Sequence, residues 1–351
     1  MMKPIHRVPD SIEKGLRFTR METPTELSSS RRIVADGRHN AFAAFVRWHG
    51  LYWLAFRKGS GHIARDGDMV VQQSTDAEHW EQSLTLDVSG DDRDAQLLPT
   101  EGRLFLYINS LNDGVFQTSV ASTEDGIRWS DPQPIYRSGY ILWKPVIHEG
   151  RYYAAAHRPG PPEHREVHLV TSEDGISWQK ISTIRAGQGE SETTLLFGRH
   201  GELTAFLRSE VTLGGAILES EPPYAHWTER PAGVHLSGHA VYTFEGVTYL
   251  MGRLLAYEPA ADPATLRADL AGRSLHQATI VYIYDEGQLH PYCRLGPLAG
   301  NHDSSYPAAV QDEDGMLIVY HRAAHEFAGE HRTRDAADLF LSRVPLQSSA
   351  Q

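Results

Sequence analysis

Apolar residues along the chain come in short runs of five to nine, rich in β-branched and aromatic side chains and ended by glycine or polar turn residues. Runs of that length and composition predict β-strands rather than helices, and the glycine and proline punctuation leaves no stretch for a long amphipathic helix. One phrase recurs: a glycine turn followed by an apolar run, in "HGLYWLAFR", "EGRLFLYIN", "EGRYYAAAH", "HGELTAFLR", "EGVTYLMGR" and "DGMLIVYHR", with glycines at 50, 102, 150, 201, 246 and 315. Each is preceded by another apolar run, such as "AFAAFVRW" or "TTLLFG", so each unit opens as a hairpin. Third runs follow in "DMVVQQS", "FQTSVAS", "EVHLVTS" and "GAILES". After them stand Trp80, Trp129, Trp178 and Trp227, evenly spaced by forty-nine residues. Four short antiparallel strands per unit, in six units, predict an all-β fold: a six-bladed β-propeller of four-stranded antiparallel blades, residues 1–351 forming one domain. The segment "GLRFTRME" is expected to supply the outer strand of the last blade and close the ring. Residues 259–277, "PAADPATLRADLAGRSLHQ", lengthen the fifth unit and read as a short helix or rim insertion.

The Trp motif reads "STEDGIRW" and "TSEDGISW" in its fullest forms. The Asp suits backbone N–H groups of a tight turn, the Gly a left-handed conformation, and the Trp a place between sheets. A residue repeated in several blades cannot converge on one pocket, so Asp125 and Asp174 are scaffold. Function has to lie in what differs between blades.

Composition narrows the classes. With 351 residues, 40% hydrophobic and 22% charged, the chain lies in the globular range. A formal net charge of −12 argues against a nucleic-acid backbone or an anionic membrane surface as partner, but leaves room for a small anion on a local arginine cluster. Cys293 is the single cysteine, which excludes an intramolecular disulfide and a cysteine-based zinc site. The start lacks the pattern of a secretory signal, so a cytoplasmic location is expected. Seven places after the six glycines stand Arg57, Asn109, His157, Arg208, Arg253 and Arg322. Four arginines in equivalent positions are expected to gather at one mouth, where their planar forks would hold a carboxylate. The bland alternative is pairing with acidic residues of the next blade.

The Ser/Thr-x-Asp-Gly-x-x-Trp repeats resemble the Asp boxes (BNR repeats) of the sialidase (neuraminidase) superfamily, over nearly the whole chain. That resemblance implies an exo-acting retaining glycosidase releasing a terminal acidic sugar, sialic acid or a related nonulosonic or ulosonic acid, with no cofactor or metal. It implies carboxylate-binding roles for Arg208, Arg253 and, from "RHNAF", Arg38, although a direct count puts Asn40 at the first position. "SSYPAAVQDEDG" is similar to the phrase that carries the nucleophile, pointing to Tyr306; a neutral phenol avoids the repulsion that a carboxylate nucleophile would meet beside the substrate's own carboxylate. The activating base is expected in "QGESETTLLF", at Glu192 rather than Glu190, and the general acid in "KGSGHIARDGDMVV", at Asp66, with Asp68 and His62 as further candidates. Asp92, Arg93 and Asp94, together with Lys144, His239 and His302, hold comparable mouth positions and are expected to bind hydroxyl or acidic groups. One departure stands out: where the family keeps a Glu bracing its first arginine, this chain has His321 and Arg322. Three alternatives remain open on sequence: a lyase acting on uronate-containing glycans with His239, His302 and Tyr306; a neutral-sugar hydrolase pairing Asp92 or Asp94 with Glu192; and a non-catalytic carbohydrate-binding propeller.

Overall fold

A computed structural model describes residues 18–19, 23–26, 30–211, 214–257, 276–299, 303–323 and 336–347. Among them the chain is all β apart from one 3-10 turn at Pro162–His164. Three sheets are four-stranded and antiparallel: Asp91–Pro99, Leu104–Asn112, Val115–Thr123 and Gln133–Pro134; Ile141–His148, Arg151–Arg158, Glu166–Ser172 and Gln179–Ala186; Glu190–Phe197, Leu203–Ser209, Gly215–Ser220 and Thr228–Pro231. A fourth combines Ala240–Phe244, Val247–Tyr257, His276–Asp285 and Gln288–Ala299, to which Phe18–Thr19 adds a short parallel strand. The largest sheet contains two antiparallel sets, His39–Trp48 through Leu86 and Ser304–Asp312 through Val344, joined by a single parallel bridge between Ala337 and His39.

This is a β-propeller of four-stranded antiparallel blades. Buried clusters lie between consecutive sheets. Trp53, Met69 and Val71 meet Leu97, Leu104 and Leu106, and Phe206 and Ile217 meet Leu250, Ile280 and Tyr282. The series returns on itself where Phe45, Leu54 and Phe56 pack on Ala308, Val319 and Leu341. Sheets buried on both faces explain why the strands read as nearly continuous apolar runs. The first strands of successive sheets line one central cavity of about 460 Å³, apolar in its walls.

The closing strand is not the expected one. Ser30–Val34 pairs antiparallel with Ala337–Val344, and Ser30 Oγ bonds Tyr320 Oη (2.6 Å) and Ser342 Oγ (3.0 Å). The segment expected there contributes Phe18–Thr19, which instead aligns with Ala256 and Tyr257. The 259–277 insertion lies outside the described residues except for its last two positions.

The Trp motifs fold as turns. Asp174 accepts the N–H groups of Ile176 (2.8 Å) and Ser177 (2.6 Å) and the hydroxyl of Ser172 (2.8 Å), with Gly175 at φ 76°. Asp125 repeats the arrangement with Ile127 and Arg128. Burial works against the Asp174 charge, but these donors outweigh it and hold its carboxyl well below the usual range. Because the folded pKa is depressed, the stability Asp174 contributes is present above the unfolded value and is lost as pH falls through the folded one. Asp174→Ala is expected to lower unfolding free energy at pH 7 by about 1 kcal/mol in a urea melt, as loss of a turn or helix-cap acceptor does.

Candidate active site

Five hairpin-opening strands, spread over four of the sheets, carry a register shift at the same end of the channel. The shifts fall between Ala41 and Ala44, Arg93 and Gln96, Trp143 and Val146, Glu190 and Thr193, and Ser305 and Ala308. Each leaves two residues unpaired, and a bulge re-aims the side chains it carries. Phe42, Asp94, Lys144 and Tyr306 stand in these bulges with φ of 55°, 53°, 42° and 48°. Such conformations cost energy in non-glycine residues, and here the flanking ladders impose them.

Within this ring Tyr306 Oη donates to Glu192 Oε1 at 2.7 Å. The same oxygen accepts Arg208 Nη1 at 2.8 Å, and that nitrogen lies 3.4 Å from Tyr306 Oη. Glu192 Oε2 accepts the Gly238 N–H at 2.6 Å. Gly238 is required twice over: its φ is 54°, and a Cβ there would stand 2.6 Å from the Tyr306 ring. Burial alone would raise the Glu192 carboxyl; Arg208, Tyr306 and the Gly238 N–H outweigh it and hold it down to about 2. Tyr306 is pushed well above 10 by burial and by the Glu192 charge. Phe42 and Trp143 flank its ring edge-on, at 4.9 and 6.1 Å between centroids. Glu190 faces elsewhere, accepting the Gln188 N–H at 2.9 Å near Arg185.

Arg253 lies over the Tyr306 ring, 5.4 Å from its centroid. It does not stand open: Nη2 meets Asp303 Oδ1 at 2.5 Å and Nε donates to the Ser304 carbonyl at 2.9 Å. Asp303 Oδ2 also receives His62 Nδ1 (3.0 Å) and His321 Nε2 (3.1 Å), with His39 Nε2 4.0 Å away. Burial opposes the Asp303 charge, yet His321 and Arg253 keep its carboxyl well below 3.8. The ligand atoms of His39, His62 and Asp303 lie within 4.8 Å of one another, close enough to raise the question of a metal. Arg57 Nη1, however, lies 3.2 Å from His39 Nδ1. Arginine can only donate, so the imidazole proton sits on Nε2, the atom turned toward Asp303. The group converges hydrogens on a carboxylate and fits an anion rather than a cation.

The four arginines placed seven residues after glycines do not share one mouth. Arg57 is fully buried, with Nε on Asp91 Oδ1 at 2.7 Å, a carboxylate from the next sheet. Arg322 lies over Phe340, 4.9 Å from the ring centroid, on the other face of its strand. The reason is a one-residue offset. In "HGL" the turn is His49-Gly50 and Trp48 pairs with Leu51, whereas in "EDG" Asp312 pairs with Gly315, so the glycine is already in the strand. A slip of one residue exchanges the faces of a strand, and His321 takes the place expected of Arg322.

Other expectations also change. Arg38 Nη2 pairs with Asp66 Oδ2 at 2.7 Å, and Ser60 gives Asp66 both its N–H (3.0 Å) and its hydroxyl (2.8 Å). The Ser60 donors first, and Arg38 after them, hold Asp66 down to about 2, the opposite of what a proton donor needs. Asn40, the residue a direct count selects, is fully buried and donates to Asp36 (2.8 Å) and Ala337 O (3.2 Å). Asp92 is committed to the Val88 and Ser89 N–H groups and to Ser110 Oγ. His239 is buried with Nε2 2.7 Å from Phe206 O, a structural contact rather than a mouth group. His302 lies outside the described residues. Arg93 remains near the pocket, 4.8 Å above the Phe42 ring and beside Asp91 and Asp94. Half-buried Lys144 is lowered to about 8 by burial against the pull of Asp94 and Glu192. Asp94 itself is pushed up to about 6 by burial, with Arg93 opposing and Glu192 adding to the rise.

The comparisons with known proteins agree with this architecture. The chain matches the BNR repeat-like domain over residues 95–319. The chain belongs to this family. It is a BNR-type β-propeller. Among solved structures, it resembles the phage phi92 endosialidase at 9% identity and a TM-score of 0.66, covering 92% of this chain and 70% of that one. Trypanosoma rangeli sialidase is similar at 15% identity and a TM-score of 0.64, over 97% of this chain and 60% of that one. The Hadza microbial sialidase Hz136 follows at 14% identity and 0.61, over 90% and 68%. None of the curated proteins matches in sequence. At such identities the BNR propellers share a fold, and the chemistry of this chain rests on its own residues.

Asp94 gives a pH test. Its folded pKa is raised above the unfolded value, so the stability tied to its proton is present below about 3.8 and is lost as pH rises through about 6. Asp94→Asn should therefore gain stability relative to wild type between pH 3.5 and 7, by up to roughly 3 kcal/mol at 1.4 kcal/mol per unit. Chemical denaturation across that range checks it; parallel curves would show that Asp94 is not held protonated by its site.

Proposed function

We propose that this chain is an exo-acting retaining glycosidase in which Tyr306 attacks the anomeric carbon. We also read the largest sheet as two blades meeting at the Ala337–His39 bridge, which makes the ring six-bladed and brings Tyr306 in the last blade opposite Glu192 in the fourth. The observation that carries the reading is the buried Tyr306–Glu192 contact of 2.7 Å beside Arg208.

A phenol raised well above 10 is no nucleophile at rest. As Tyr306 Oη bonds to the anomeric carbon, its proton passes to Glu192 Oε1, and the glycosidic C–O bond breaks toward the leaving oxygen. Arg208, which touches both partners, stabilises the carboxylate before transfer and the phenolic oxygen during it. Water then attacks the glycosyl–tyrosine, giving its proton to the carboxylate left when the acid protonated the leaving oxygen, and Glu192 returns its own proton to Tyr306. Asp94 is the proton donor of this reading, because it carries a proton up to about pH 6 whereas Asp66 is ionised and bound to Arg38. A terminal acidic sugar is supported by the cationic surroundings of Tyr306 and by the fold shared with a Trypanosoma rangeli sialidase that binds sialic acid. Against it stands the engagement of Arg38, Arg208 and Arg253 with Asp66, Glu192 and Asp303. The lyase reading has less support, since His239 is bonded to a carbonyl inside the core.

Tyr306→Phe should reduce release of a chromogenic aglycone about 10³-fold or more while leaving the fold intact; undiminished turnover would remove Tyr306 as nucleophile. Wild-type kcat/KM should fall as pH rises above about 6, the value to which Asp94 is pushed, and Asp94→Asn should lose that limb and about 10²–10⁴-fold in rate. An ultraviolet-absorbing unsaturated product from acidic polysaccharides would instead indicate the lyase.

A further inference from the structure

Asp303 was not singled out by any sequence pattern, yet its carboxylate accepts three protein donors near Tyr306, as many as Glu192 does. Arg253 holds Oδ1, while His62 and His321 both meet Oδ2. Arg57 fixes the His39 tautomer, so a third imidazole N–H faces the same oxygen at 4.0 Å. The forked edge of Arg253 that would grip an incoming carboxylate is spent, Nη2 on Asp303 and Nε on the Ser304 carbonyl. His321 stands where the family resemblance leads one to expect a carboxylate bracing a substrate-binding arginine. Exchanging that acid for an imidazole donor turns the local partner from a cation into an anion, and Asp303 is the anion that fills it. Two carboxylates cannot share one such seat without one of them taking up a proton.

We propose that Asp303 is a specificity-determining residue: its carboxylate fills the anion seat formed by Arg253, His62 and His321, so the pocket takes a terminal sugar bearing no carboxylate at that position. The inference rests on the glycosidase reading of the Tyr306–Glu192 pair and deepens it by naming the substrate class. It also accounts for a tyrosine nucleophile on a neutral sugar. The negative charge beside the anomeric centre comes from the protein instead of the substrate, and a carboxylate nucleophile would meet the same repulsion from Asp303 that it meets from an acidic sugar.

The test measures ligand binding and turnover separately. DANA, an inhibitor that a Trypanosoma rangeli sialidase binds, serves as a carboxylate-bearing probe, titrated by calorimetry into wild type, Asp303→Ala and Asp303→Asn. Both variants should bind it roughly tenfold or more tightly than wild type, because each frees Arg253 from a competing charge. Wild type should hydrolyse a member of a panel of neutral aryl glycosides and leave aryl sialosides intact. DANA binding by wild type as tight as by the variants, or turnover of a sialoside, overturns the assignment of Asp303. If neither variant folds, the wild-type comparison of neutral and acidic glycosides decides it alone. Failure of the glycosidase reading has a different signature: turnover that survives in Tyr306→Phe, whatever DANA does.

Discussion

A carboxylate buried at the mouth of a propeller must be met by donors, and the Glu192 charge organises this one. With about 6% of its surface exposed, it has no water shell to rely on, so each oxygen is satisfied by protein. The three donors come from distant parts of the chain: Arg208 from the neighbouring strand, Gly238 from the segment leading into Ala240–Phe244, and Tyr306 from a strand 114 residues away. Removing any one leaves the charge underpaired, so the constellation has to be assembled as a unit. Tyr306 accepts a backbone φ of 48° to take part, which places local strain where the chemistry is proposed to occur.

The architecture was legible in the sequence because its causes are local. Glycine hairpins and the Asp-Gly-x-x-Trp turns satisfy their own backbone groups, so their spacing survives as a repeat. Glu192 and Tyr306, which the structure brings into contact, were singled out through resemblance rather than through any pattern of apolar residues. What failed was any inference that assumed equal spacing gives equal orientation. Arg57 and Arg208 both follow a glycine by seven residues, yet one meets Asp91 of the next sheet and the other Glu192 of its own. Arg322 was misplaced because its glycine stands one position later relative to a turn of the same length, already inside the strand. The bulges that aim Phe42, Asp94 and Lys144 inward leave no mark in composition, since they are register effects between two strands. Asp303 was invisible for a deeper reason: its partners come from three separated segments, and nothing in "NHDSSY" announces them.

Electrostatically, the mouth divides into two halves that share Tyr306. On one side Glu192 and Asp94 stand with Lys144 and Arg93, and burial moves Asp94 and Lys144 toward neutrality. On the other, Asp303 is fully charged and ringed by donors. A net charge of −12 thus coexists with a pocket in which every nearby arginine already has a carboxylate partner.

Ring closure has a consequence for biosynthesis. The edge formed by Ala337–Val344 is capped by Ser30–Val34, and the two contacting serines are 312 residues apart. During translation the early strand must therefore wait, unpaired, until a partner 312 residues further along has left the ribosome. Its open edge and the apolar face beneath it are exposed to neighbouring nascent chains for that interval, which makes the growing polypeptide dependent on slow, long-range pairing and vulnerable to self-association before the circle is complete.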